Sequence, residues 1–88
     1  MKVLTLAQVA RELNKVLDER VRTTDYWGNK LTDKLLLSSR ACKHDRSNGY
    51  VFVTEQEYVV AGWFTELLQS YGYFAEFRDY DTLAIYRI

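Results

Sequence analysis

Apolar positions near the start of the chain recur at Leu6, Val9, Ala10, Leu13, Val16 and Leu17, the spacing of one buried stripe on a helix of about residues 6–19, with Arg11, Glu12, Lys15 and Asp18 turned to solvent. The preceding TLAQ is a capping box: Thr5 and Gln8 satisfy each other's free backbone donors. The helical rhythm stops in RVRTTDYWGNKL, residues 20–31, where Gly28-Asn29 marks a turn. Tyr26 and Trp27 in this loop are candidate anchors for a partner, because large rigid aromatics carry much of the energy at interfaces. The competing role for Trp27 is a lid on the core.

A second helix is expected over residues 33–44, capped by Thr32, with Asp33 in its first turn, Lys43 and His44 near its end, and Leu35, Leu36, Ser39 and Cys42 along one side. The run LLLSS also reads as a strand from Leu35 to Ala41, since period alone does not separate short apolar runs; the helix is the preferred reading. After the polar turn DRSNG, Tyr50 to Val53 forms a β-branched and aromatic strand. TEQE, Thr54 with Glu57, is a second capping box and opens a helix of about residues 55–71. Its stripe is Val59, Val60, Trp63, Phe64, Leu67, Leu68 and Tyr71, and Gly72 stands at the left-handed C-terminal position. The tail alternates about the turn Asp79-Tyr80-Asp81-Thr82, predicting an antiparallel hairpin. Ala75, Phe77, Leu83 and Ile85 share one face, and Glu76 and Arg78 lie beside Tyr86 on the other. The expected order is helix, loop, helix, strand, helix, strand, strand, with the strand at residues 50–53 joining the hairpin: a single α+β domain over residues 1–88 with a small sheet packed against helices.

This succession, a helix ending in a polar turn, the strand GYVFV, an amphipathic helix ending in YGY and a hairpin ending in LAIYRI, resembles small accessory proteins encoded by bacteriophages, over about residues 32–88. The resemblance implies a factor that works in the host cell cytoplasm by binding host or viral macromolecules.

Composition supports a packed domain. The chain is 48% hydrophobic and 15% aromatic without proline, enough apolar material for 88 residues to build a core. A single cysteine forms no internal disulfide, which fits a reducing compartment. The start MKVLTLAQVARELNK holds no apolar run long enough for a signal-peptide core or a membrane span, so a cytoplasmic, non-membrane protein is expected.

Cys42, His44 and Asp45 invite a catalytic or metal-binding reading. Residues two apart on a helix point about 200° from one another. On a strand they share a face but stand about 7 Å apart, against the roughly 3 Å a nucleophile and its base require. A structural zinc site needs about four ligands dominated by Cys and His, and the chain has one of each. Asp79 and Asp81 lack the glycine and terminal glutamate of a calcium loop. No enzymatic activity, metal or cofactor is expected.

Net charge is zero, yet residues 1–48 carry ten Lys/Arg against six Asp/Glu, and residues 49–88 carry two against six. If the halves faced apart, the molecule would be dipolar. Arg40, Lys43 and Arg46, near His44, form a basic cluster with Tyr26 and Trp27 as stacking surfaces, which supports an alternative as a nucleic-acid-binding accessory protein. The expected helix over residues 55–71 carries no Lys or Arg and is unsuited to phosphates. The favoured expectation is therefore a non-enzymatic interaction protein that binds and modulates a protein partner. Tyr26, Trp27, Tyr80 and Tyr86, with Phe74, are aromatic anchors flanked by Arg40, Lys43 and Arg46. Self-association through the last strand, which begins at Leu83 and ends at Ile88, is a related expectation if that strand is an unpaired edge.

Overall fold

Thr5 closes its capping box in both directions: its hydroxyl accepts from the Gln8 amide at 3.2 Å and its own amide donates to Gln8 Oε1 at 2.9 Å. Helix α1 (Leu6–Val16) follows in the computed structural model, which describes residues 3–25, 27–43, 49–54 and 59–88. Val9, Ala10 and Leu13 are buried. The helix stops short of residue 19 because Leu17 turns extended and bridges Lys43, while Asp18 binds Cys42 twice, donating to its carbonyl at 2.8 Å and accepting from its amide at 2.9 Å.

The expected second helix is a strand, β1 (Lys34–Ser38). Leu35, Leu36 and Leu37 are all buried, and no single helical face takes three consecutive residues, whereas a strand covered on both faces does. Thr32 and Asp33 consequently cap nothing, and Asp33 lies 3.8 Å from the Lys34 ammonium. Strand β2 (Phe52–Thr54) pairs antiparallel with β3 (Val59–Val60) in a separate two-stranded sheet instead of joining the hairpin. Helix α2 (Gly62–Tyr71) then begins later than expected. Val59 and Val60 are held by β2, the Ala61 amide donates to the Val51 carbonyl at 2.8 Å, and Ala61 is the N-cap. Thr54 belongs to a strand, and the rest of the predicted TEQE cap, residues 55–57, lies outside the described residues. Gly72 ends α2 in the left-handed region, φ 85°, as the sequence predicts.

The hairpin also forms as expected, from β4 (Tyr73–Asp79) and β5 (Thr82–Arg87), with Ala75 opposite Ile85 and Phe77 opposite Leu83. The three long strands are ordered β1-β5-β4, all antiparallel, and Arg22 extends the sheet beyond β1 by two backbone bonds to Leu36, 2.7 and 3.0 Å. β5 is thus central and paired on both sides, so Leu83 to Arg87 is no free edge and the expected self-association through that strand loses its basis. Val9, Leu13, Leu17, Phe64 and Leu68 pack with Leu35, Leu37, Tyr73, Leu83 and Ile85 into one core, which makes the fold α+β. β1, from the basic half of the chain, lies against β5, from the acidic half, so the two halves share one sheet.

Candidate interaction site

The loop between α1 and β1 folds back on itself. Thr24 bridges Lys30, the Leu31 amide donates to the Thr23 carbonyl at 2.9 Å, and the Asp25 amide donates to the Asn29 carbonyl at 2.8 Å. The Asp25 carboxylate clamps the tip, accepting from the Trp27 amide at 2.8 Å, the Asn29 amide at 2.9 Å and the Asn29 side-chain amide at 3.3 Å. These bonds, the Asn29 amide foremost, hold its pKa below the ordinary 3.8, with slight burial working the other way. Gly28 follows at φ 84°, where a side chain would be strained. The clamped turn presents Trp27, which is 83% exposed and does not lid the core.

The other candidates scatter. β1 runs from Lys34, opposite Tyr86, to Ser38, opposite Thr82. Trp27 and Tyr86 therefore belong to one end of the sheet, and Arg40 and Tyr80 to the other. At that second end buried Ser39 fastens the β4–β5 turn, donating from its hydroxyl to the Tyr80 carbonyl at 2.8 Å and from its amide to the Asp81 carbonyl at 2.8 Å. Arg40 and Tyr80 are exposed there. Tyr86 is half-buried, stacked on Phe74 with ring centroids 5.6 Å apart, and Lys34 Nζ lies 6.0 Å from its ring. Tyr26 and Arg46, with His44 and Asp45, lie outside the described residues.

Lys43 sits at neither end. Its ammonium lies 4.5 Å from the centroid of Trp63, whose Nε1 donates to the Tyr50 carbonyl at 2.9 Å. The Tyr50 and Phe52 rings are 5.2 Å apart. This second aromatic surface of Tyr50, Phe52 and Trp63 was missed in the sequence, where Trp63 read as a core position; Trp63 does pack half-buried on the core, whereas Val59, also read as core, is exposed. Val16, Leu67 and Glu66 continue it as a shallow groove. Cys42 is buried and unpaired as a thiol, but in an extended segment bridging Tyr50, not on a helix. Among the described residues, no three His, Cys, Asp or Glu side chains converge on a metal-sized site and no helix is long and apolar enough to cross a membrane. No protein family, curated protein or solved structure matches the chain.

Proposed function

We propose that this is a non-enzymatic interaction protein that binds and modulates a protein partner, in the manner of a small phage accessory factor acting in the host cytoplasm. The observation that supports this reading is Trp27, held out at 83% exposure by a turn whose backbone is already bonded in place. An exposed indole costs solvation in the free protein, and a pre-bonded turn lowers the ordering cost of docking it into an apolar pocket of the partner. Lys30 and Lys34 at the same end of the sheet orient the approach of that partner.

The test is affinity capture with the immobilised protein, identification of the retained protein, and titration of that purified partner against wild type and Trp27→Ala. Truncating an anchor of this kind costs roughly 2–4 kcal/mol, a weakening of about 30- to 1,000-fold. Equal affinity for the variant, with an unchanged circular dichroism spectrum, removes Trp27 as the anchor. Salt-sensitive capture of nucleic acid, lost on replacing Arg40, Lys43 and Arg46, decides instead for the nucleic-acid alternative.

A further inference from the structure

Where β1 begins and β5 ends, a groove of about 650 Å³ opens between the first turn of α1, the segment 30–33 and the Tyr73–Arg87 strand pair. Its volume lies within the roughly 300–1,000 Å³ of small-molecule sites. Leu6, Leu31 and Tyr73 supply an apolar floor, and Thr5 and Thr32 supply hydroxyls. Among the described residues the charged lining is Lys30, Arg87 and Asp33. Lys30 and Arg87 make no ion pair among the described residues, whereas Asp33 already lies 3.8 Å from Lys34. Residues Leu6 to Val9 hold no acidic side chain to offset the two cations.

Among the described residues the lining is net positive over an apolar floor, two cations against one carboxylate that Lys34 already approaches. We propose that this groove binds a small organic monoanion, an apolar body ending in a single carboxylate, with the carboxylate between Lys30 and Arg87 and the body over Leu6, Leu31 and Tyr73. A carboxylate supplies the negative charge that a net-positive lining favours. Arg87 offers paired donors that match a carboxylate, and Lys30 a point charge. The groove shares Lys30 with the surface proposed for the partner but does not include the indole of Trp27, and hexanoate binding is read without the partner.

Amide chemical-shift titration tests this with two probes of equal apolar length and opposite charge, hexanoate and hexylammonium. Hexanoate is expected to shift the amides of Leu6, Ala7, Leu31 and Arg87 and to saturate with an affinity on the order of millimolar. Hexylammonium leaves them unmoved. The double variant Lys30→Gln/Arg87→Gln weakens hexanoate by roughly tenfold or more, while Trp27→Ala leaves it unchanged. Both replaced side chains are exposed, so a retained amide spectrum certifies the fold. Equal response to both probes, shifts centred on Tyr50 and Trp63, or a hexanoate affinity indifferent to the double variant each overturn the proposal.

Discussion

The contact between Lys43 and Trp63 depends on the missing side chain of Gly49. A Cβ added there would stand 2.6 Å from Lys43 Cγ, 2.7 Å from Cβ and 2.9 Å from Cδ, well inside the roughly 3.5–4.0 Å at which carbon atoms rest. Gly49→Ala must therefore push the lysine stem aside. Overpacking of this kind costs about 1–3 kcal/mol, and displacing the ammonium from the indole forfeits a further 0.5–1 kcal/mol, approximately, at a partly exposed site. Because the two terms share the same displacement, about 2 kcal/mol is expected from a domain whose whole stability is on the order of 4–13 kcal/mol at its size. The melting temperature followed by circular dichroism should fall by roughly 10 °C. Lys43→Ala removes the Cγ and Cδ that collide but keeps the Cβ, so in that background Gly49→Ala should cost about half as much. A cost below about 0.5 kcal/mol for Gly49→Ala in the wild type, or equal costs in the two backgrounds, would refute the packing argument.

Ser39→Ala removes the hydroxyl that holds the Tyr80 carbonyl and should cost about 0.5–1.5 kcal/mol, with faster hydrogen exchange at residues 79–82; unchanged exchange there would mean the turn does not rely on it. Phe64→Ala, at a fully buried ring, should cost about 3–5 kcal/mol in urea unfolding, while Trp27→Ala stays within about 0.5 kcal/mol, and the reverse ranking would contradict the burial of the two rings. Asp25 has a folded pKa depressed below 3.8, so its contribution to the turn is present above the unfolded value and lost as pH falls through the folded one. The amides of Trp27 and Asn29 should therefore shift together in an acid titration with a midpoint below 3.8. A midpoint at or above that value would mean the carboxylate does not hold the tip.

Elements built from near neighbours were legible before the fold was known. The Thr5–Gln8 box, the left-handed Gly72 and the alternation of Ala75, Phe77, Leu83 and Ile85 each rest on contacts a few residues apart, or on a turn that brings two adjacent runs together. In segment 34–38 the period of a short apolar run does not by itself separate helix from buried strand, and the burial of all three leucines is decided by Arg22 on one side and β5 on the other. The same holds for the start of α2: local capping chemistry at residue 54 pointed to a helix, but the bonds from Val60 to Phe52 and from Ala61 to Val51 delay it to Gly62.

The candidate site shows the same division. Trp27 could be named from a Gly-Asn turn and a large aromatic, because the clamp of Asp25 is a contact within four residues. That Tyr80 and Arg40 stand at the opposite end of the sheet, that Lys43 covers Trp63, and that Lys30 shares a groove with Arg87 had no local signal. The sequence by itself determined the caps, the turns, the hairpin and an aromatic surplus, since short-range sterics and hydrogen bonds select those whatever surrounds them. Only the tertiary structure decided which apolar runs became strands and which charges met. Those choices depend on partners as distant as Ser39 and Tyr80, 41 residues apart, whose favourable contacts exist only once the intervening chain has been ordered.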